Sequence, residues 1–314
     1  MVFPETFFES ETRDGFTISS MMKRAWAAEL EVLGAFHDLC EAHGFRYYFA
    51  YGSLLGVVRH GGYVPWDDDI DLWMFREDMM RMNALPDSEF VSRGLVLINS
   101  HHEEGNVNLA WRVDNGRWVN LSPEHLMRYH LCPFATGVDI HALDTVPSDP
   151  AVERRQDVLI ATANTLSRTW EDPSQPEAEK RKTLRWLEEE IGAHPDEGMP
   201  VRQRLMILSD LAMALYTEEN SNLVAFLPSK QKNRAQLYER AWFGEPVYMS
   251  FEGLPVPVPE RYNLLLTRIF GADYMNPRHS GGMHGYPFYR KQYDAIKQLF
   301  EKQGETLPEF LSEA

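Results

Sequence analysis

Apolar residues recur at helical spacing in the first part of the chain, and strand-like runs follow them. The helical pattern runs from Ile18 to His43, and Gly44 is a suitable stop. A short helix is predicted from Ser53 to Arg59, followed by the glycine- and proline-containing loop "HGGYVP". Apolar and β-branched runs predict strands at "FRYYFAY", "IDLWMF", Leu95–Ile98, Val107–Val113 and Thr136–Ala142.

The pattern becomes helical from about Pro150 to Tyr216, with breaks at "EDPSQPE" and "GAHPDEGMP". A hairpin turning at Glu252-Gly253 and helices over Glu260–Phe270 and Phe288–Gln303 complete the chain. These elements predict an α/β (α+β) fold, with a small mixed sheet flanked by helices and a helical insert. The expected division is a core over residues 1–148, a mainly helical insert over 149–245, and a C-terminal hairpin and helices over 246–314 that complete the core.

Composition narrows the class of protein. The 314 residues are 44% hydrophobic, enough for a sizeable core, and carry a net charge of −16, which argues against nucleic acid or an anionic membrane as the main partner. Two cysteines, Cys40 and Cys132, are too few for a disulfide scaffold or a cysteine zinc site. Because no signal-peptide pattern and no apolar run of about 20 residues is present, a cytoplasmic protein is expected.

The stretch "YGSLLGVVRHGGYVPWDDDIDLWM" places four aspartates beside a strand. Alternation along an extended chain puts Asp69 and Asp71 on one face, and "TGVDIHALD" puts Asp139 on the polar face of another strand. Clustered carboxylates do not all ionise without a cation, and oxygen ligands favour Mg²⁺ or Mn²⁺. Asp139 is then both a metal ligand and the base for an attacking hydroxyl. A solvated acidic turn, with Asp67 or Asp68 as a cap, is the structural alternative.

Residues for binding a phosphate precede the acidic group. Gly52 and Ser53 lie between a predicted strand and a helix, where backbone N–H groups and a hydroxyl favour phosphate. Arg59 is suited to binding phosphate oxygens, and His60 is a further candidate. The alternatives are an ordinary helix cap, a surface ion pair and a structural histidine.

These residues resemble the signature of the LicD family, whose members include bacterial phosphocholine transferases, fukutin and fukutin-related protein. The similarity continues through "GVDIHALD" and "FEGLPVPVPERYNLLLTRIFGADYMNP", and so spans most of the chain. The resemblance implies a nucleotidyltransferase-type core and transfer of a substituted phosphate from a CDP-linked donor to a sugar hydroxyl of a glycan, with release of CMP. It assigns Asp69, Asp71 and Asp139 to the metal, and Gly52, Ser53 and Arg59 to the diphosphate.

Phosphocholine is the first candidate for the transferred group, since it is a common bacterial substrate of the family. A quaternary ammonium favours an aromatic cage, and the candidates are Trp66, Trp73, Trp111, Trp118 and Tyr286. Ribitol or glycerol phosphate would instead use polar groups such as Asn106, Asn108 and Arg112.

Basic residues later in the chain are further candidates for substrate binding. Arg278 and His284 lie in a glycine-rich segment that could close over a nucleotide, and Lys230 with Lys232 could reach a diphosphate or an acceptor. An irregular connection and an exposed basic turn are the alternatives. Two other functions stay open: transfer of NMP from an NTP to a small molecule or protein, and non-catalytic nucleotide binding.

Overall fold

A computed structural model describes residues 1–233, 236–278 and 286–311, and over these residues the α/β prediction is confirmed. The helices are α1 (Ser20–His43), α2 (Tyr51–His60), α3 (Arg76–Asn83), α4 (Asp87–Val91), α5 (Pro123–Arg128), α6 (Pro150–Thr169), α7 (Glu177–Ile191), α8 (Val201–Met213), α9 (Leu227–Lys232), α10 (Tyr262–Phe270) and α11 (Arg290–Gln303). The strands are β1 (Glu11–Arg13), β2 (Phe16–Ile18), β3 (Tyr47–Phe49), β4 (Ile70–Phe75), β5 (Val96–Ile98), β6 (Trp111–Asp114), β7 (Gly137–Thr145), β8 (Leu223–Ala225), β9 (Tyr238–Glu239), β10 (Val247–Phe251) and β11 (Leu254–Val258).

The central sheet has the order β3-β4-β7-β6-β5, and β8 and β9 extend it beside the end of β7. Strands β4 and β7 are parallel, whereas the other neighbouring pairs are antiparallel. Five of the six residues of β4 are buried, as expected for a strand in the interior of a sheet covered on both faces. The parallel pair β4–β7 therefore lies at the centre of the fold.

Helix α1 packs along this sheet and ends where its sequence predicts. The Ser19 side chain accepts a hydrogen bond from the Met22 N–H at the start, and Gly44 takes a left-handed conformation at the end. Fourteen residues of α1 are buried, including the charged Lys23 and Glu29, so the helix is a central element of the core and not a half-exposed surface helix.

Several local features differ from the sequence-based expectation. The strand predicted over Val107–Val113 begins only at Trp111 and ends at Asp114. Residues 11–18 form the β1–β2 hairpin, which the apolar pattern does not indicate because the strands are short and mostly polar. The segment "FRYYFAY" is a strand only over Tyr47–Phe49, since α2 begins at Tyr51 with a positive φ of 42°. The helix therefore begins two residues earlier than predicted.

The helical segment has an apolar core of its own. Helices α6, α7 and α8 bury residues such as Leu159, Leu187 and Leu208 in a cluster separate from the one around the central sheet. The same part of the chain also supplies β8, which pairs with the end of β7. The three-part division at residues 148 and 245 stays a prediction, with this second core as its physical basis.

Cys40 and Cys132 are both buried and free, in agreement with the absence of a disulfide framework. Across the described ranges, the structure contains no helix whose length and apolar character would let it cross a bilayer.

Candidate active site

Three carboxylates converge at the β4–β7 pair. Asp71 and Asp139 are opposite each other in the parallel register, and Asp69 directly precedes β4. One carboxylate oxygen from each of Asp69, Asp71 and Asp139 lies within 4.8 Å of the other two. The spacing of the acidic residues along the two strands predicts this convergence, and their roles as metal ligands stay a prediction.

A second acidic group overlaps the first, because Asp67, Asp68 and Asp69 also place oxygens within 4.8 Å of one another. Asp68 is buried, and its Oδ2 accepts the Phe288 N–H at 2.6 Å. Its carboxylate therefore anchors the C-terminal segment just before α11, whose start has no side-chain cap among the described residues, so Asp68 is neither solvated nor a helix cap as the structural alternative supposed.

The charges of this group fit a divalent cation. Burial raises the pKa of Asp69 well above its usual value, and the negative charges of Asp71, Asp67 and Asp139 raise it further. A cation among these oxygens would reverse that effect and stabilise the ionised forms. Oxygen-only ligands on adjacent strands match the preference of Mg²⁺ or Mn²⁺, so the residues present fit such an ion.

His141 holds one of the candidate ligands. It lies two residues after Asp139 on β7, and its Nε2 is 2.8 Å from Asp71 Oδ1. Although burial lowers the pKa of His141, contact with Asp71 leaves it above the usual value. Sequence reasoning did not assign His141 to the site, although its alternation with Val138 and Ile140 already placed it on the same face as Asp139.

Arg112 lies beside the third carboxylate. Its Nε is 2.9 Å from Asp139 Oδ1, and its Nη2 is 3.3 Å from Asp114 Oδ1. These ion pairs follow from the antiparallel register of β6 on β7, which sets Arg112 opposite Asp139. Sequence reasoning considered Arg112 only as a group for binding hydroxyls, and the structure shows that it also forms an ion pair with the candidate base.

Gly52 and Ser53 lie next to the acidic group, for reasons that differ from the prediction. A Cβ on Gly52 would overlap Asp67 Oδ2, so the glycine allows this carboxylate to approach α2. The Ser53 hydroxyl accepts the Asp71 N–H at 2.8 Å and lies 3.4 Å from the Asp69 carbonyl. It therefore fixes the entry of β4 against α2, and its assignment as a phosphate donor stays a prediction.

Arg59 and His60 occupy the other end of α2, about 10 Å along the helix axis from Gly52. The Arg59 guanidinium donates to the Tyr274 carbonyl at 3.0 Å, and His60 Nε2 is 3.0 Å from Asp14 Oδ2. Burial lowers the pKa of both side chains. Both groups therefore make contacts within the protein, and their phosphate-binding roles stay predictions.

Of the later basic candidates, Lys230 and Arg278 lie in different environments. Lys230 is buried, with its ammonium 2.9 Å from both Glu153 and Asp157 on α6, and this geometry disfavours a direct role on substrate. Arg278 is exposed and forms an ion pair with Asp273. His284 lies outside the described residues.

The aromatic candidates separate in the same way. Trp73 and Trp111 are fully buried in the core, whereas Trp118 is exposed. Trp66 and Tyr286 both contact Phe16, at centroid distances of 6.5 and 5.2 Å, and the Arg59 guanidinium lies 6.0 Å from the Trp66 ring. An aromatic group therefore exists near α2, with a protein cation already against one of its rings.

A buried hydrogen-bond network joins the segment before Asp67–Asp71 to the segment before Asp139. Glu29 on α1 accepts from the Tyr63 hydroxyl and from the Thr136 hydroxyl, both at 2.8 Å. Tyr63 precedes Asp67–Asp71 in the chain, and Thr136 precedes Asp139. One buried carboxyl group therefore joins the segments that carry the three converging aspartates.

Glu29→Gln is expected to change how stability depends on pH. Burial raises the pKa of Glu29 well above its usual value, so the folded state binds this proton more tightly than the unfolded state. The contribution of Glu29 to wild-type stability should fall as pH rises from about 4 through the folded-state pKa, by up to about 1.4 kcal/mol per pH unit. Glutamine cannot ionise, so the melting temperature of the variant minus that of the wild type should increase from pH 5 to pH 8.

Glu41→Gln, on the exposed face of the same helix, is the matched control and should follow the wild type at every pH. A constant difference between wild type and Glu29→Gln across this range would show that Glu29 does not titrate as its environment implies.

A cleft of about 600 Å³ opens beside Asp139. Its walls come from the segment before β6, from β6 and β7, and from α6 and α9 of the helical segment. Arg112 and Asp139 are among the residues that line it. The candidate base therefore faces a space that is formed jointly by the central sheet and the helical segment.

Comparison with known proteins agrees with this geometry. Residues 44–145 match the family model described as LicD/FKTN/FKRP, nucleotidyltransferase domain. The matched segment runs from the end of α1 to the end of β7, and so includes all three converging aspartates. The predicted resemblance to the LicD family is confirmed.

Two named relatives differ in how much of the chain they cover. The lipopolysaccharide cholinephosphotransferase LicD of Haemophilus influenzae is 26% identical over 274 residues, which are 78% of this chain and 88% of the relative. The ribitol 5-phosphate transferase FKRP of Homo sapiens is 47% identical over 49 residues, which are 16% of this chain and 10% of that protein. The similarity to FKRP is thus confined to a short segment.

Proposed function

Because the chain carries a LicD-family nucleotidyltransferase domain, we propose that it is a transferase that moves a substituted phosphate from a CDP-linked donor to a sugar hydroxyl of a glycan. The observation that supports the proposal is the convergence of Asp69, Asp71 and Asp139 within 4.8 Å. Phosphocholine is the transferred group that we propose first, because a relative whose similarity extends over 78% of this chain is named a cholinephosphotransferase.

The proposed reaction is a displacement at phosphorus. The acceptor oxygen forms a new bond to the phosphorus that carries choline, the bond from this phosphorus to the bridging oxygen breaks, and CMP leaves. Asp139 faces the cleft and is the proposed acceptor of the hydroxyl proton. The Arg112 ion pair at 2.9 Å would hold the Asp139 carboxylate in place for this step.

Asp69, Asp71 and Asp139 are the proposed ligands for Mg²⁺ or Mn²⁺. When bound, the metal would neutralise the charge of the donor diphosphate and of the departing CMP. His141 fixes the orientation of Asp71 from the side, and Ser53 fixes the backbone between Asp69 and Asp71. These contacts from His141 and Ser53 would fix the positions of the Asp69 and Asp71 carboxylates before substrate binds.

The experiment that tests this proposal is a CMP-release assay with CDP-choline, CDP-ribitol, CDP-glycerol and CDP-ethanolamine, each with and without Mg²⁺. We expect Mg²⁺-dependent CMP release with CDP-choline at the highest rate. Release of pyrophosphate from an NTP, with no CMP from any of the four donors, would support nucleotidyl transfer and contradict the proposal.

Gly52→Ala is expected to lower the rate of CMP formation about tenfold with little loss of stability. The new methyl group would displace the Asp67 carboxylate, whereas alanine itself is favourable in a helix. The measurements are the CMP-release rate and the melting temperature. Gly34→Ala, at a helical glycine with open space around it, is the control and should keep the wild-type rate; an equal rate in both variants would show that the position of Asp67 is unimportant.

A further inference from the structure

Two basic side chains line the cleft beside Asp139 in addition to Arg112. Arg168 on α6 and Lys232 on α9 both line it, and both come from the helical segment. We propose that this cleft binds an acceptor saccharide with an acidic substituent, which Arg168 and Lys232 recognise while Asp139 receives the reacting hydroxyl. The inference rests on the proposed function and adds the chemical class of the acceptor.

The polar lining suits a carbohydrate. Asn108, Asn164, Thr165 and Gln231, whose side chains carry amide and hydroxyl groups, line the cleft, and the Gln231 amide also donates to Asp157 at 3.3 Å. These side chains both donate and accept hydrogen bonds, as a ring of sugar hydroxyls requires. Uncharged hydrogen-bonding groups therefore line the same cleft as Arg168, Lys232 and Asp139.

One wall of the cleft is apolar and reaches toward the acidic group. Phe226, Leu109 and Ala161 contribute to it, and the centroids of the Phe226 and His141 rings are 4.8 Å apart. His141 in turn contacts Asp71. A saccharide ring packed on Phe226 would therefore lie next to the residues that hold the candidate metal ligands.

The cations of the helical segment are the basis for an acidic substituent. Arg112 is engaged by Asp139 and Asp114, so its charge is used within the site. The Arg168 Nε donates to Asn164 Oδ1 at 3.1 Å, which positions the guanidinium along the cleft. In a chain of net charge −16, two cations on one cleft favour a ligand that carries an anion, such as a phosphate or a carboxylate.

Size and position favour the acceptor over the donor. A volume of about 600 Å³ lies within the range of small-molecule sites and accommodates one or two sugar rings. Among the described residues, those that line the cleft include none from α2, where the candidate residues for the donor diphosphate lie. Donor and acceptor would then approach the acidic group from different sides.

The test compares the double variant Arg168→Gln/Lys232→Gln with the wild type by calorimetric titration. The probes are mannose 6-phosphate and galacturonic acid, with methyl mannoside as the neutral comparator. We expect the acidic probe that matches the natural substituent to lose at least about tenfold in affinity relative to the neutral sugar. Loss for the phosphate alone identifies a phosphorylated acceptor, and loss for the carboxylate alone identifies a uronic acid.

Arg154→Gln is the matched control, because Arg154 is exposed on the same helix and does not line the cleft. It should keep the wild-type affinities within about twofold. Unchanged affinity of the double variant for both acidic probes would overturn the inference. So would a tenfold loss of CMP affinity in the double variant, since the cleft would then take the donor nucleotide.

These binding measurements involve no turnover. They therefore test the cleft even if the wild type releases CMP from none of the four donors, the result that would contradict the proposed function. Conversely, CMP release together with unchanged binding of the acidic probes would leave the transferase proposal standing and overturn only the acidic acceptor.

Discussion

Asp69→Asn is expected to lower the rate of CMP formation by at least about 10³-fold while the protein remains folded. Asparagine keeps the shape of the side chain but removes a charged oxygen ligand from the group formed with Asp71 and Asp139. Loss of one ligand charge weakens metal binding and the stabilisation of charge that develops on the donor phosphate. The measurement is the initial rate of CMP release at saturating Mg²⁺.

Stability provides an independent measure of the same change. The raised pKa of Asp69 means that its ionised form is destabilised by burial and by neighbouring acids, so Asp69→Asn should not lower the melting temperature in the absence of metal. Adding Mg²⁺ should raise the melting temperature of the wild type, since an ion at about 100 times its Kd stabilises by about 2.7 kcal/mol. The variant should respond much less.

Asp38→Asn is the control for both measurements, because Asp38 lies on the exposed face of α1. It should retain the wild-type rate and the wild-type response to Mg²⁺. A near-normal rate in Asp69→Asn would contradict the assignment of the metal ligands, whatever the melting temperatures show.

Arg76→Met is expected to lower the free energy of unfolding by about 3–5 kcal/mol. Arg76 follows β4 and donates to Asp144 on β7 at 2.6 and 3.0 Å and to Asp210 on α8 at 2.8 Å. All three side chains are buried. Methionine would fill much of the space but leave two carboxylates without their cation in the core. Chemical denaturation of both proteins at pH 7 measures the loss.

The loss should depend on pH in a defined direction. Although burial raises the pKa of Asp210, Arg76 and His101 outweigh it and leave that pKa below the usual value. The stabilisation from this carboxylate is therefore present above pH 4 and is lost as pH falls through its folded-state pKa. At Asp144 the effect of burial outweighs that of Arg76 and raises the pKa to about 6. Without Arg76 both carboxyl pKa values would rise further, so the variant would lose more stability than the wild type as pH rises. The difference between wild type and Arg76→Met should accordingly shrink on acidification.

Arg181→Met is the control, because Arg181 makes an exposed ion pair with Glu177 one turn earlier on α7. It should cost no more than about 1 kcal/mol. The double variant Arg76→Met/Asp144→Leu should recover part of the loss, since one stranded carboxylate is removed. A loss below about 1 kcal/mol for Arg76→Met would show that this network does not stabilise the packing of α8 on the sheet.

Local pattern was sufficient for most of the elements. The apolar period and Gly44 placed α1, the run "IDLWMF" coincides with β4, and the turn at Glu252-Gly253 joins β10 to β11. Residues with a positive φ at both turn positions match the two-residue hairpin that the sequence indicates. The β1–β2 hairpin and the early start of α2 were missed, because short polar strands and a strained first residue leave little trace in hydrophobic periodicity.

The group formed by Asp69, Asp71 and Asp139 was also predictable from local pattern. Alternation along each strand assigns Asp69, Asp71 and Asp139 to polar faces, so only the pairing of the two strands was needed to bring them together. The later cations were less predictable. Lys230 is buried in an ion pair, whereas its neighbour Lys232 lines the cleft, and no local pattern distinguishes these two lysines before α9 is packed on α6.

The sequence by itself determined most of the elements and the polar positions that could bind a cation. Tertiary structure decided which groups distant in the chain meet. The β6–β7 register brings Arg112 to Asp139, the packing of α2 on β4 brings Ser53 to Asp71, and the approach of α8 brings Asp210 to Arg76. The physical reason is that side-chain direction repeats every two residues in a strand and every 3.6 residues in a helix, so a short stretch of sequence is enough to predict it. Contacts between residues far apart depend on strand order and helix packing, which the whole core selects together.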